Sequence, residues 1–158
     1  KKCSEEETGI QFEDIEHIVI IKSEYLKDKN GTPLTSIHEY KVCDHIVFVK
    51  EGREYVLLFE LCKSSSKKHD EIIQQLTHGG EQSLLLLSAC SYSPNKCNFG
   101  FFYVYSKIGT HFIRMLRDKK VTFQGKNLPI HLLQSRNQGF FVTNPEHLEK
   151  TIIPRKKR

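Results

Sequence analysis

Two adjacent apolar segments constrain the fold of this chain more than any other feature. They cover residues 43–49 and 55–63, and a short polar stretch, residues 51–54, separates them. Both segments are rich in β-branched and aromatic residues, which favour strands, and the short linker with its glycine favours a hairpin. Their nearly continuous hydrophobicity predicts strands that are covered on both faces and lie centrally in a sheet.

Each of these two strands carries one acidic residue that needs an explanation. Asp44 stands at the start of the first segment, and Glu60 lies among apolar neighbours near the end of the second. Burying a carboxylate is costly unless another group or a metal compensates its charge. On the two strands of a hairpin these acids can face each other, and together with a backbone carbonyl they would suit Mg²⁺ or Mn²⁺.

The rest of the chain alternates between strand and helix patterns. Residues 1–9 are predicted to be a frayed leader, and a long helix is predicted over residues 67–91, kinked or broken at Gly79 and Gly80. The remaining predictions are short helices at 10–17, 110–117 and 147–152, strands at 18–21, 99–108, 120–123 and 128–133, and a loop at 28–33, with residues 36–40 extending into the strand that carries Asp44. This order predicts an α/β fold with a mixed central β-sheet flanked by helices, in a single domain of residues 1–153 followed by a basic tail at 154–158.

Composition and charge restrict the class of protein. The 158 residues carry a net charge of +5, no apolar run approaches membrane-spanning length, and no signal peptide is visible. The five cysteines have no zinc-site spacing, so we interpret them as reduced thiols of a cytoplasmic protein. The net positive charge suits a polyanionic partner. The basic tail at 154–158 is either a solvated end or a segment that contacts nucleic acid.

The central segments, with their acids, resemble the PD-(D/E)xK nuclease superfamily, which has the restriction-endonuclease-like fold. The resemblance covers roughly residues 35–137 and rests on the segments KVCDHIVFV, YVLLFELCKSSS, IIQQL, VYSKI and KKVTFQGKNLPIHLLQSRN. It implies an αβββαβ core and Mg²⁺- or Mn²⁺-dependent cleavage of nucleic acid, with DNA as the expected substrate. It also implies that Asp44, Glu60 and the Leu61 carbonyl are metal ligands, and that Gln75 faces the site from the following helix.

The position of the catalytic lysine departs from the family pattern. The family places this lysine two residues after the glutamate, but here that position is Cys62 and Lys63 follows it. Because side chains alternate along a strand, Lys63 should point away from Glu60. Either a β-bulge returns Lys63 to the site, or another lysine reaches in from elsewhere, or the site has lost its activity. The other lysines considered are Lys41, Lys67 and Lys68.

Three functional interpretations therefore stay open. The chain is a metal-dependent DNA endonuclease, or a catalytically inactive module of the same fold that binds nucleic acid or a protein, or a plain α/β interaction domain. Under the first interpretation Asp44, Glu60, Lys63 and Gln75 form the catalytic set. Homodimerisation and additional flanking domains are both compatible with the sequence, whereas a membrane partner is not expected.

Overall fold

The computed structural model describes residues 1–5, 8–23, 41–62, 67–135 and 140–153. The predicted loop at 28–33, the predicted strand extension at 36–40, Lys63 and the basic tail at 154–158 lie outside these ranges. None of the described helices is both long and apolar enough to cross a membrane. The described strands are β1 (Lys2–Glu5), β2 (Thr8–Phe12), β3 (His17–Lys22), β4 (His45–Glu51), β5 (Arg53–Cys62), β6 (Cys97–Tyr105), β7 (Lys120–Phe123), β8 (Lys126–Gln134) and β9 (Phe140–Thr143). The described helices are α1 (His69–Ala89), α2 (Thr110–Arg117) and α3 (Pro145–Ile152), with a 3₁₀ turn at Pro94–Lys96.

A six-stranded mixed sheet forms the centre of the molecule, with the strand order β3-β4-β5-β6-β8-β7. The first three strands are antiparallel neighbours, whereas β5, β6 and β8 run parallel to one another. The predicted hairpin is confirmed as β4 and β5, joined at Gly52, whose φ of +64° suits glycine. Both of its strands are internal to the sheet, as their continuous hydrophobicity predicted.

Two apolar cores cover the two faces of this sheet. On one face Val56 and Leu58 of β5 pack in a cluster with Ile72 and Leu76 of α1 and with apolar residues of α2. On the other face the alternate residues of β5 meet a second, three-stranded sheet with the order β1-β2-β9, together with α3. The mixed α/β class is therefore confirmed, but helices alone flank only one face.

The N-terminal predictions are wrong. Residues 1–9 are not a frayed leader and residues 10–17 are not a helix, because β1 and β2 occupy most of this segment. β2 pairs in parallel with β9, and the register joins Gly9 to Phe140. A partner so distant along the chain leaves no local pattern, and tertiary pairing outweighed the weak helical spacing.

The long helix is confirmed, but it runs through Gly79 and Gly80 as one element rather than breaking there. Close packing explains both glycines. A Cβ atom on Gly79 would overlap the Cys43 sulfur, and a Cβ on Gly80 would lie 2.7 Å from the Phe123 ring. The glycines thus allow α1 to lie directly against the sheet, next to the residue that precedes Asp44.

Candidate functional site

Asp44 and Glu60 meet at one end of the β4–β5 hairpin. The last paired residues there are His45 and Phe59, so Asp44 stands opposite Glu60 one step further along the same register. The Leu61 amide donates a hydrogen bond to Asp44 Oδ2 at 2.7 Å, which ties the Asp44 carboxylate to β5. The hairpin therefore brings together two acids that lie sixteen residues apart in the sequence.

The Glu60 carboxylate is fully buried, with 0% of the residue exposed. Its Oε1 atom accepts a hydrogen bond from the Lys67 ammonium, and its Oε2 atom has no hydrogen-bond partner among the described residues. Burial and, next, the negative charge of Asp44 raise the pKa of Glu60 to about 7, although Lys67 opposes the rise. An additional positive charge near Glu60 and Asp44 would therefore stabilise this end of the hairpin.

Lys67 is the lysine that reaches Glu60. It lies just before α1, and its side chain is 27% exposed. Burial by itself would lower the pKa of Lys67, but the charges of Glu60 and Asp44 outweigh it and raise that pKa, so the ammonium stays charged at neutral pH. Of the other lysines considered from the sequence, Lys41 pairs with Glu71 at 3.8 Å and Lys68 is exposed.

Cys62 lies on the same side of β5 as Glu60, as strand alternation predicts. It packs in the cluster beneath α1 and α2, where Tyr103 of β6 is a neighbour in the same core. Tyr103 is the residue of β6 that pairs with Glu60, and burial followed by the Cys62 thiol raises the pKa of the Tyr103 hydroxyl. The sequence marked Tyr103 only as part of an aromatic strand, because the parallel pairing of β5 with β6 has no local signature.

Gln75 connects α1 to this end of the hairpin. Its backbone carbonyl accepts a hydrogen bond from the Cys43 amide at 3.0 Å, and Cys43 directly precedes Asp44. The residue is only 4% exposed, and its side-chain Oε1 has no hydrogen-bond partner among the described residues. Gln75 therefore brings a second buried, unsatisfied oxygen into the layer between α1 and the hairpin.

The chemistry of these groups is compatible with a hard divalent cation. Asp44, Glu60 and the Leu61 carbonyl would supply only oxygen ligands, which Mg²⁺ and Mn²⁺ prefer. The unpartnered Glu60 Oε2 atom and the mutual repulsion of the two acids both favour the arrival of a cation. Across the described ranges no group of three or more His, Cys, Asp or Glu side chains is assembled for a metal, so the carbonyl would be needed.

A cavity of about 590 Å³ lies elsewhere, between the β3–β4 edge of the sheet and the C-terminal end of α1. Its walls are mainly apolar and include Val19, Phe48, Leu86 and Tyr92. Neither Asp44 nor Glu60 lines it. The cavity therefore does not belong to the acidic site.

Comparison with known proteins gives no relative for this chain. No protein-family model matches it, and no curated protein or solved structure shows a significant similarity.

Proposed function

We propose that this protein is a metal-dependent nuclease that hydrolyses phosphodiester bonds of DNA. The topology supports a restriction-endonuclease-like core, because the antiparallel strands β3, β4 and β5 are followed by the α1 crossover and by β6 parallel to β5. Asp44, directly before β4, and Glu60 on β5 are the residues that would correspond to the family's two acids. The leading helix of the αβββαβ pattern has no counterpart in residues 1–5 and 8–16, so the proposal rests on the βββαβ part.

Asp44, Glu60 and the Leu61 carbonyl would hold Mg²⁺ or Mn²⁺. Such an ion supplies Lewis-acid polarisation of the phosphate and lowers the pKa of a bound water. The protein's own contribution is to orient the carboxylates: the Leu61 amide fixes Asp44, and the apolar surroundings of Glu60 exclude water from its inner side. Fixed groups of this kind need no reorganisation during the reaction.

Lys67 takes the place of the family's lysine in this proposal. Its raised pKa keeps it protonated at neutral pH, so it cannot act as a general base there. A charged ammonium beside Glu60 instead stabilises the negative charge that develops on the phosphate in the transition state. Lys63 lies outside the described residues, and its role stays a prediction from the sequence.

The observation that carries the proposal is the pairing of two acids across a hairpin with a buried carboxylate oxygen left unsatisfied. The direct test is cleavage of supercoiled plasmid DNA in Mg²⁺ or Mn²⁺. Glu60→Gln and Asp44→Asn should each abolish cleavage, because each removes one anionic ligand while keeping its shape. Glu81→Gln is the matched control, since Glu81 is an exposed acid in the middle of α1, and it should cut like the parent. Equal cleavage by Glu60→Gln would refute the assignment.

The inactive module is the second candidate, and Cys62 is the observation that favours it. A cysteine stands at the lysine position on the Glu60 side of β5, and one Glu60 oxygen already accepts a hydrogen bond from Lys67. This alternative predicts salt-sensitive DNA binding without turnover in any divalent metal. Gain of cleavage in Cys62→Lys, with none in the parent, would establish the inactive module and exclude the active nuclease.

A further inference from the structure

Apart from the basic tail at 154–158, the positive charge of this chain is concentrated in one segment. Residues 107–126 contain six Lys or Arg residues and one acid, Asp118, an excess of five that equals the net charge of the whole chain. The other 138 residues therefore carry as many acids as bases. We call the six side chains the basic strip: Lys107, Arg114, Arg117, Lys119, Lys120 and Lys126.

Every side chain of the basic strip is exposed. Within the described ranges none of them forms an ion pair, in contrast to Lys41, Lys50 and Lys150, which pair with nearby acids. α2 directs its two arginines outward because Ile113 and Leu116 face the core. The strip is thus a surface of uncompensated positive charge.

The basic strip begins next to the acidic site. The Nε2 atom of His69, two residues after Lys67, lies 3.1 Å from the Phe112 carbonyl of α2, and the centroids of the His69 and Phe112 rings are 4.2 Å apart with the ring planes tilted by 33°. Lys107 follows the end of β6, which runs parallel to β5 and ends at the same edge of the sheet as Glu60. From there α2 carries the strip about 12 Å along the α1 side of the molecule, at 1.5 Å per residue.

We propose that the basic strip is the surface that binds the phosphate backbone of the nucleic acid and directs it to Asp44 and Glu60. The inference rests on the proposed function for its choice of nucleic acid as the polyanion. A DNA duplex presents one negative charge per about 1.7 Å of its axis, so a charged path of this length covers several phosphates. An acidic cleavage site repels DNA, and an adjoining cationic surface supplies the attraction that the site lacks.

The test measures binding of a fluorescent 30-base-pair duplex in EDTA between 50 and 200 mM NaCl, where no cleavage interferes. Each phosphate contact contributes about 0.9 to the slope of log K against log[salt]. Neutralising four strip residues should reduce that slope by about 3 to 4. The strip variant is Arg114→Gln, Arg117→Gln, Lys119→Gln and Lys120→Gln. The control carries the same loss of charge at exposed positions on other elements: Lys2→Gln, Lys50→Gln, Lys96→Gln and Lys150→Gln.

The strip variant should lose most of the slope, whereas the control should keep at least three quarters of it. Equal slopes in the two variants, or no salt-dependent binding by the parent, would overturn the inference. Equal competition by polyglutamate of the same total charge would assign the surface to acidic polypeptides and would also overturn it. If the strip variant loses binding while the parent never cuts DNA, the inference stands and only the nuclease proposal fails.

Discussion

Replacing Glu60 by glutamine should change how the stability of this protein depends on pH. Glu60 is fully buried beside Asp44, and its pKa is raised from 4.5 to about 7. The folded protein therefore keeps the Glu60 proton over a range in which the unfolded chain has released it. Glutamine has a similar shape and no ionisable proton. The variant therefore removes the difference in proton binding between the folded and unfolded states at position 60 and changes the packing there little.

The size and sign of the effect follow from linkage. Between pH 4.5 and about 7 the unfolded state binds fewer protons than the folded state, so the free energy of unfolding falls as the pH rises and levels off above the folded pKa. A rise of the pKa from 4.5 to about 7 corresponds to about 3 kcal/mol, at 1.36 kcal/mol for each pKa unit. As the pH rises through this range, the free energy of unfolding of the parent should fall by this amount relative to that of Glu60→Gln.

Urea unfolding at pH 4.5, 6, 7 and 8 in EDTA measures this difference. Subtracting the unfolding free energy of the variant from that of the parent cancels the contributions of titrating groups away from this site, such as His131, whose pKa is lowered by burial. Glu81→Gln, the same acid-to-amide change at an exposed position of α1, serves as the control. If the Glu60→Gln difference changes no more with pH than the Glu81→Gln difference, the Glu60 carboxylate is not held in the environment described above.

Three further substitutions test other parts of the structure. Gly79→Ala should destabilise the protein by about 1–2 kcal/mol in urea unfolding, because the overlap of the new Cβ with the Cys43 sulfur outweighs the gain in helix propensity. Combining it with Cys43→Ala should remove this loss of stability. Lys67→Met should abolish metal-dependent DNA cleavage while Lys68→Met leaves it unchanged, and equal activities would contradict the role given to Lys67. Asn144→Ala should cost about 1 kcal/mol of thermal or urea stability, since the Asn144 side chain accepts a hydrogen bond from the His147 amide at the start of α3; an unchanged midpoint would show that this cap contributes nothing.

The sequence predicted the parts of the fold that local patterns encode. The β4–β5 hairpin follows from two apolar runs around Gly52, and α3 follows from the Asn144 cap and the proline after it. The strands β1 and β2 were missed although they pair with each other as neighbours in sequence, because the second partner of β2 is the distant strand β9 and neither short segment shows clear alternation. The covering of one sheet face by a second sheet was missed for the same reason.

The same distinction between local patterns and long-range contacts applies to the candidate site. The opposition of Asp44 and Glu60 follows from hairpin register, which a short turn fixes. The contact between Lys67 and Glu60 depends on the path of the chain between β5 and α1, so the sequence could only name Lys67 among several lysines. Tyr103 reaches the site through parallel pairing with β5 across the α1 crossover, which no spacing rule reveals.

The most direct test of the account is a crystal of the protein soaked in Mn²⁺ and measured at the manganese absorption edge. We expect one anomalous peak at the open end of the β4–β5 hairpin, from an ion that both Asp44 and Glu60 coordinate, and no such peak in Glu60→Gln. Manganese bound at some other place, or a fully occupied Lys67–Glu60 ion pair with no peak beside it, would contradict the claim that these two acids share a divalent cation.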